Sequence, residues 1–430
     1  MVFYTYVNEG VFTISTTTMK FGIGASREIG FELSRLGVKK ALIVTDKNLM
    51  ELGVAREIID EIEKSGVSVY VYEDVEIEPT DESMVRASQW AKDKDFEALV
   101  AVGGGSVIDH AKVINLLTRY PADIIEYINR PIGLGKPVPG PLRPLIAVPT
   151  TAGSGSEHTA VAVLDVKKER VKTGISHSYL RPTLAIVDPL LTVTMPPTVT
   201  ASTGLDVLTH AAEAYTSKPY YARPRPSSPG ERPVYQGANP ITDIFSETAI
   251  SFVAKYLRRA YYNGYDLEAR YYMMLACELA GSGFGHAGVH IPHANAYPIA
   301  GMVRDYIPPD YKVDHPLIPH GISVVLTAPA SFRMLASVVP ERVARIASLL
   351  GVEPESSQPK KIGEAVYEAF VSLIEDLRTV PRGLKEVGYR ESDIPALVEG
   401  AIKQQRLLAV APMQVTKRDL EKIFRESLEY

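Results

Sequence analysis

The chain has 430 residues, of which 46% are hydrophobic, 23% are charged and 8% are aromatic. This length predicts about two domains rather than one simple core. A formal net charge of −5 gives no reason to expect nucleic acid or an anionic membrane as a partner, and the one cysteine, Cys277, excludes an internal disulfide and a cysteine-based metal cluster.

The chain begins with MVFYTYVNEGVF, which lacks the basic and then apolar pattern of a signal peptide. No apolar run approaches the roughly 18 residues that a membrane span requires. We therefore expect a cytoplasmic enzyme. The 31 prolines and 23 tyrosines, with a single cysteine, favour a heat-adapted source.

Short β-branched runs alternate with amphipathic helical segments through the first half. Strands are predicted at KKALIVTD, VSVYVYEDV, FEALVAVGGG, LRPLIAVPT and PTLAIVDP, and helices at LMELGVAREIIDEIEKSG, DESMVRASQWAKDKD and SVIDHAKVINLL. Strands and helices that alternate at this spacing predict a parallel sheet with helices on both faces.

The pattern changes near Pro189, and the rest of the chain is almost entirely typical of helices. The sequence therefore predicts an α/β domain over residues 1–190 and an all-helical domain over 191–430. One stretch, KPYYARPRPSSPGERPVYQGANP, is too rich in proline for a helix and too aromatic for a plain linker. We interpret it as an ordered excursion.

Three consecutive glycines, Gly103 to Gly105, stand between a predicted strand and a predicted helix. Without Cβ atoms they would let a diphosphate approach the backbone N–H groups, and Ser106 is a natural N-cap for the helix behind them. The alternative is a tight turn that needs glycine at positive φ. The segment PTTAGSGSE, with the hydroxyls of Thr150 and Thr151, is a weaker second candidate for a nucleotide loop.

Asp46 closes the strand LIVTD. A carboxylate in this place can accept hydrogen bonds from the ribose of an adenine nucleotide and would repel a 2′-phosphate, which favours NAD over NADP. The alternative is a turn aspartate that caps the next helix.

Asp206 and His210 lie four residues apart in a predicted helix, so both side chains point to one spot. A pair of this kind is commonly a hydrogen-bonded core contact, but the distribution of histidines favours a metal site. Of nine histidines, five fall in one short window: His286, His290, His293, His315 and His320. One carboxylate with three imidazoles fits iron(II) or zinc.

Five motifs together indicate a family. GGGSVIDHAK, PTTAGSGSE, GLDVLTHAAEAY, IPHANAYP and PHG follow one another in the order found in the iron-containing (group III) alcohol dehydrogenases, which the chain resembles to about residue 330. Within that family, RPVYQGANPITD, GVHIPHANAYP and VDHPLIPHGISVVLTAPA are most similar to the hydroxyacid-oxoacid transhydrogenase branch.

The resemblance implies that residues 1–190 form the α/β dinucleotide-binding domain and that residues 191–430 form the all-helical metal-binding and substrate domain. It also implies roles for individual residues. It implies a metal, Fe²⁺ with Zn²⁺ as the alternative, held by Asp206, His210, His293 and His320. It implies NAD, with NADP as the alternative, bound by Asp46, Gly103, Gly104, Gly105, Ser106, Asp109, Thr150, Thr151, Ser154 and Lys172. Many members carry a proton-relaying histidine where this chain has Tyr297, so we hypothesise that Tyr297 or His290 relays the proton.

The implied activity is hydride transfer between NAD(H) and a small hydroxy acid or semialdehyde, such as 4-hydroxybutyrate or succinic semialdehyde. The alternative is a hydroxyacid-oxoacid transhydrogenase that retains its cofactor, and a lyase similar to dehydroquinate synthase is less favoured. We expect a homo-oligomer, a dimer or larger. Lys312, Arg304 and the arginines of the excursion are the candidates for meeting a substrate carboxylate.

Overall fold

The computed structural model describes residues 8–169 and 171–430, so most of the N-terminal segment considered above lies outside the described residues. The described chain forms two compact units, one of residues 16–195 and one of residues 8–15 with 196–430. The division of functions between 1–190 and 191–430 stays a prediction.

The unit of residues 16–195 contains eight strands in its described part. They are β1 (Thr18–Phe21), β2 (Lys40–Val44), β3 (Ser68–Tyr72), β4 (Ala98–Gly103), β5 (Leu145–Pro149), β6 (Val161–Val166), β7 (Val171–Ser176) and β8 (Leu184–Val187). Six form one sheet in the order β1-β8-β5-β4-β2-β3, with every pairing parallel. The predicted parallel sheet is confirmed.

Helices lie along the chain between these strands, as the alternating pattern predicts. They are α1 (Ile29–Arg35), α2 (Lys47–Glu51), α3 (Val54–Lys64), α4 (Asp81–Ala91), α5 (Gly105–Arg119) and α6 (Ile124–Tyr127). The central strands are buried on both faces, and their side chains alternate between two cores. Ala41 and Ile43 belong to one hydrophobic cluster, whereas Leu42 and Val44 belong to the other.

Two details of the unit differ from the sequence-based expectation. The helix predicted over LMELGVAREIIDEIEKSG is two helices, because Gly53 between α2 and α3 has a φ of 80°, which interrupts the helical backbone. Strands β6 and β7 form a separate antiparallel pair that the alternation of strands and helices does not predict.

The second unit is helical, as predicted. Its helices are α7 (Pro197–Thr216), α8 (Pro240–Tyr262), α9 (Leu267–Ala287), α10 (Ile291–Gly301), α11 (His320–Val325), α12 (Ala328–Leu335), α13 (Pro340–Leu349), α14 (Pro359–Asp376), α15 (Ile394–Ile402), α16 (Gln405–Leu408) and α17 (Lys417–Glu426). In the described part of the chain, no helix combines the length and the apolarity needed to cross a bilayer.

The proline-rich excursion is ordered by contacts with its own unit. It contains two short 3₁₀ turns, Tyr220–Ala222 and Pro229–Glu231. The buried carboxylate of Glu9 accepts a hydrogen bond of 2.9 Å from Arg232 Nε and lies 3.5 Å from Arg223 Nη2. Two arginines of the excursion therefore already share one carboxylate.

Candidate active site

Helix α7 supplies two of the predicted metal ligands. It is buried on almost every side because small and apolar residues occupy most of its surface, and α8 and α9 pack against it. Asp206 and His210 are each 4% exposed. Ionisable groups buried this deeply need compensating partners.

The partners come from two other helices of the same unit. Asp206 Oδ1 lies 3.7 Å from His210 Nε2, 3.6 Å from His293 Nε2 on α10 and 4.0 Å from His320 Nε2 at the start of α11. The structure thus brings all four predicted ligands together around one carboxylate oxygen, and we refer to Asp206, His210, His293 and His320 as the metal cluster.

Three of the four form the tightest group. Ligand atoms of Asp206, His293 and His320 all lie within 4.8 Å of one another. His210 lies beside this group, where its ring stacks on Phe284 with centroids 3.9 Å apart and on His293 with centroids 4.6 Å apart.

Unsatisfied polar atoms show that the residues fit a metal. Asp206 Oδ1, His210 Nδ1 and His293 Nε2 are buried and have no hydrogen-bond partner. Orphaned buried atoms are costly in a folded protein, and carboxylate and imidazole donors are the ligands that divalent first-row metals take. A cation at this point would satisfy Asp206 Oδ1 and His293 Nε2, whereas His210 faces Asp206 with Nε2 and not with its orphaned Nδ1.

Glu213 is a functional residue that the sequence analysis does not single out. It is completely buried on α7, and its Oε2 accepts a hydrogen bond from His293 Nδ1. Its Oε1 accepts bonds from the backbone N–H of His290 at 2.7 Å and of His293 at 3.3 Å. Glu213 therefore fixes the imidazole of His293 and the start of α10. The sequence could have indicated this role, because Glu213 follows His210 by three residues on the same helix and metal-bound histidines commonly donate their second N–H to a carboxylate.

The electrostatics of the cluster match this arrangement. Burial opposes ionisation of Asp206, yet the surrounding imidazoles lower the pKa of its carboxyl to about 2. Burial lowers the pKa of His210 to about 3, against the attraction of Asp206. Burial acts against a charge on His293 as well, but Glu213 and Asp206 raise the pKa of His293 to about 9. A nitrogen that binds a metal must be deprotonated. A cation held by these residues would therefore take the place of the proton on His293 Nε2, the nitrogen that faces Asp206.

The two residues hypothesised to relay the proton are placed differently. His290 is fully buried, its Nδ1 accepts a bond of 2.8 Å from Ile291 N–H, and its Nε2 lies 3.0 Å from Thr216 Oγ1. Both ring nitrogens are thus engaged at the junction of α7 and α10, which favours a structural role. Tyr297 lies one helical turn after His293 on α10, and its relay role stays a prediction.

The remaining histidines of the window, His286 and His315, lie outside the metal cluster and contact other groups of the protein. His286 Nδ1 bonds to Ser282 O at 2.9 Å, and its Nε2 accepts a bond of 2.9 Å from Ser15 N–H. His315 is exposed, beside Asp314.

The other candidate region, in the unit of residues 16–195, is the glycine loop between β4 and α5. None of its three glycines adopts a positive φ, so the tight-turn alternative does not explain them. Close approach does. A Cβ on Gly105 would lie 2.7 Å from Ser154 Cβ, a Cβ on Gly104 would lie 3.2 Å from Thr151 Oγ1, and one on Gly103 would lie 2.5 Å from Val107 Cγ2.

The two predicted nucleotide loops, Gly103–Ser106 and the segment PTTAGSGSE, lie side by side. Gly103 ends β4 and Pro149 ends β5, two neighbouring parallel strands, and Thr150 N–H donates to Gly103 O at 3.3 Å. Loops at the carboxyl ends of adjacent strands are the usual ligand-binding position in an open parallel sheet. The expectation that Ser106 is the N-cap of α5 is wrong: Gly104 is the N-cap, with extended backbone that aims the first N–H groups without a capping side chain.

Asp109, from the cofactor set that the resemblance implies, fastens α5 to the second loop. Its Oδ2 accepts a bond of 2.9 Å from Val163 N–H, and its Oδ1 accepts bonds from Ser156 Oγ and from Lys112 Nζ, the latter at 3.2 Å. These bonds position the loop that carries Thr151 and Ser154.

Two further residues that the resemblance implies for cofactor binding, Asp46 and Lys172, make contacts with other groups of the protein. Asp46 caps α2, accepting a bond of 3.0 Å from Leu49 N–H, and burial raises the pKa of its carboxyl. Lys172 lies on β7, with its ammonium hydrogen-bonded to Glu78 and 3.8 Å from Asp165. Their part in nucleotide binding stays a prediction.

Comparison with known proteins places the chain in a family. A family model described as iron-containing alcohol dehydrogenase matches residues 16–189, and one described as the C-terminal part of the Fe-containing alcohol dehydrogenase family matches residues 231–428. The mitochondrial hydroxyacid-oxoacid transhydrogenase of Bos taurus is 46% identical over 97% of this chain and 90% of its own length. The chain belongs to the iron-containing alcohol dehydrogenase family.

Other relatives of this family member agree. The Homo sapiens protein of the same name is 45% identical over 97% of this chain and 90% of its own. A crystal structure of 1,3-propanediol oxidoreductase superposes with a TM-score of 0.84 at 30% identity, over 97% of this chain and 100% of that one. Sulfoacetaldehyde reductase from Bifidobacterium kashiwanohense, solved in complex with NAD⁺, gives a TM-score of 0.81 at 28% identity, over 98% and 99%.

The comparisons settle the class of the chain. It is an oxidoreductase that acts on a small molecule, and its family implies a metal and a nicotinamide-type cofactor. The expected cytoplasmic location is wrong, because the relatives from Bos taurus, Mus musculus and Homo sapiens are all named as mitochondrial proteins. These relatives also lend no support to a heat-adapted source.

Proposed function

We propose that this family member is a hydroxyacid-oxoacid transhydrogenase. It would carry a hydride from a hydroxy acid such as 4-hydroxybutyrate to an oxo acid such as 2-oxoglutarate, with its cofactor retained between the two half-reactions. The relatives named for this activity, 45–46% identical over 97% of the chain, support the choice of reaction. The observation that carries the chemistry is the buried set of unpaired donors around Asp206 Oδ1.

In this proposal Asp206, His210, His293 and His320 hold Fe²⁺, with Zn²⁺ as the alternative. When bound, the divalent cation supplies Lewis acidity at a substrate oxygen. The chain's own contribution is geometric and electrostatic. Glu213 holds the Nδ1 proton of His293, which leaves Nε2 as the donor facing Asp206.

We assign the nicotinamide cofactor, NAD rather than NADP, to the loops at the ends of β4 and β5. The close approach of Gly104 and Gly105 to Thr151 and Ser154 supports this assignment, because it brings the two loops together at the N-terminus of α5, a favourable place for a phosphate. Asp46 would favour NAD by repelling a 2′-phosphate. When bound, the nicotinamide accepts and returns the hydride.

The proton of the hydroxy acid must leave as the hydride does. We assign this exit to Tyr297 in preference to His290, since both ring nitrogens of His290 already make hydrogen bonds. A phenol is able to relay a proton through water to solvent.

The decisive assay mixes purified protein with 4-hydroxybutyrate and 2-oxoglutarate without free NAD. We expect succinic semialdehyde and 2-hydroxyglutarate to appear in equal amounts. Product formation only after NAD is added would overturn the proposal in favour of the second candidate, an NAD(H)-coupled dehydrogenase of hydroxy acids or semialdehydes. That candidate is favoured by the structural similarity to sulfoacetaldehyde reductase.

Two measurements complete the assignment. Elemental analysis of the purified protein, followed by reconstitution of the metal-free protein with each ion, decides between iron and zinc. Sedimentation equilibrium tests the homo-oligomer, a dimer or larger, that we propose.

A further inference from the structure

A hydroxy acid and an oxo acid have one charged group in common, the carboxylate. An enzyme that binds both in turn at one site needs a cation that serves both, whereas an enzyme for neutral alcohols does not. Such a cation must have a charge that no carboxylate of the protein already balances.

Most of the candidate cations there have carboxylate partners. Arg304 forms a two-pronged pair with Asp393, with its shorter bond at 2.6 Å. Arg342 pairs with Asp243 in the same way, with bonds of 2.9 and 2.8 Å. Arg223 and Arg232 share Glu9. Each of these guanidinium groups therefore has a carboxylate beside it, although the nitrogens of Arg223 make no hydrogen bond to the described residues and only approach Glu9.

Arg406 differs from them. It lies on α16, is partly buried, and makes no ion pair with any carboxylate in the described part of the chain. Its guanidinium lies over the ring of Tyr235, 5.1 Å from the centroid. Burial opposes its charge, but the phenols of Tyr235 and Tyr297 more than offset this and hold the pKa of Arg406 above its usual value. Two separated segments therefore flank a charged group that has no carboxylate counter-ion among the described residues.

Tyr297 connects this cation to the helix that carries His293. Helix α16 packs on α10, and Tyr297 beside Arg406 is four residues after His293, so the two side chains share one face of α10 with Cβ atoms about 5–6 Å apart. Tyr235 lies at the C-terminal end of α9, where a Cβ on Gly288 would lie 3.1 Å from its ring.

We infer that Arg406 binds a carboxylate of both the hydroxy acid and the oxo acid, an inference that rests on the proposed function. The planar guanidinium offers two parallel N–H donors to a carboxylate. Stacking on Tyr235 holds that fork in place, so little of its freedom remains to be lost on binding. Arg406 then determines specificity for acids over neutral alcohols.

The test compares acid and neutral substrates. With metal-loaded protein that carries bound NADH, the oxidation of this NADH in single turnovers gives a rate and an apparent KM for succinic semialdehyde and for butanal, in the unsubstituted protein and in the variants Arg406→Gln and Arg406→Lys. Loss of a charge-assisted hydrogen bond predicts that Arg406→Gln raises KM for the semialdehyde roughly 10–100-fold and leaves butanal unaffected. Arg406→Lys should recover part of the loss, since lysine keeps the charge but not the fork.

Arg304→Gln is the matched control, because its guanidinium is already paired with Asp393; it should leave both KM values unaltered. Equal losses on semialdehyde and butanal in Arg406→Gln would show that Arg406 is only structural and would overturn the inference. So would an unchanged KM for the semialdehyde.

Binding of glutarate, a dicarboxylate that cannot react, gives the same comparison without turnover. Calorimetry on the metal-loaded protein should show a dissociation constant raised roughly 10–100-fold in Arg406→Gln and unaltered in Arg304→Gln. An unaltered constant in Arg406→Gln contradicts the inference. If the unsubstituted protein fails the assay without free NAD but still distinguishes semialdehyde from butanal through Arg406, the transhydrogenase proposal fails and the role of Arg406 stands.

Discussion

The metal cluster and the glycine loop are both interior, but different physical constraints maintain them. Around Asp206, side chains from α7, α10 and α11 converge and leave three buried polar atoms without partners. At Gly103–Gly105, the constraint is steric, since side chains of the neighbouring loop fill the space that Cβ atoms would take. The first region is incomplete without a ligand, whereas the second is complete and only presents backbone. Substitutions should therefore act on charge and metal content in one region and on packing in the other.

The largest effect is expected from Asp206→Asn. The amide keeps the size of the side chain but removes the negative charge around which three imidazoles gather. Lewis acidity contributes several kcal/mol to such reactions, so we expect activity to fall by about 10³-fold or more and bound metal to be lost. Elemental analysis and steady-state rates measure both, with circular dichroism as the check on folding. A folded variant with full metal content would remove Asp206 from the ligand set.

Glu213→Gln should have the next largest effect. Glutamine has a single carbonyl oxygen, so it cannot accept from both His293 Nδ1 and the backbone N–H groups of His290 and His293, and the imidazole loses its fixed orientation. Loss of such a supporting contact costs about 10–100-fold in metal affinity or activity. Competition with a chelator measures the metal affinity. If the affinity stays at the parent value, Glu213 serves only to balance charge in the core.

Two substitutions in the glycine loop, Gly105→Ala and Gly104→Ala, should differ in the size of their effect. A methyl group on Gly105 would meet Ser154 at 2.7 Å, whereas one on Gly104 would meet Thr151 Oγ1 at 3.2 Å. Overpacking costs about 1–3 kcal/mol, so Gly105→Ala should weaken NAD binding by roughly tenfold and Gly104→Ala by less. Metal content should be unaltered in both. Titration of NAD by protein fluorescence tests the order, and the reverse order would contradict the steric account.

The smallest effects concern the proton exit. We expect Tyr297→Phe to change the pH dependence of kcat, because it removes a phenolic proton near the metal cluster. His290→Gln should leave the pH profile unchanged and instead lower the free energy of unfolding by about 1–3 kcal/mol, since it disturbs buried hydrogen bonds. Rates across pH and denaturant melts separate the two. A pH profile altered only by His290→Gln would reverse the assignment.

Much of this molecule follows from local sequence patterns. The alternation of strands and helices predicts the parallel sheet because strand and helix periods are local properties. The pair Asp206 and His210 is visible because residues four apart share a helix face. The break at Gly53 and the antiparallel β6–β7 pair were not predicted, since a left-handed residue and a long-range strand pairing leave no periodic signal.

By itself, the sequence determined the fold class, the family and the residue types that surround a metal, because these depend on composition, spacing and ordered motifs. Only the tertiary structure decided that Glu213 supports His293 and that His290 is bonded on both nitrogens. It also decided that, among the described residues, Arg406 has no carboxylate partner where Arg304 has one. The physical reason is distance along the chain. Glu213 and His293, 80 residues apart, meet only because their helices pack, and whether a charge is balanced depends on such a meeting.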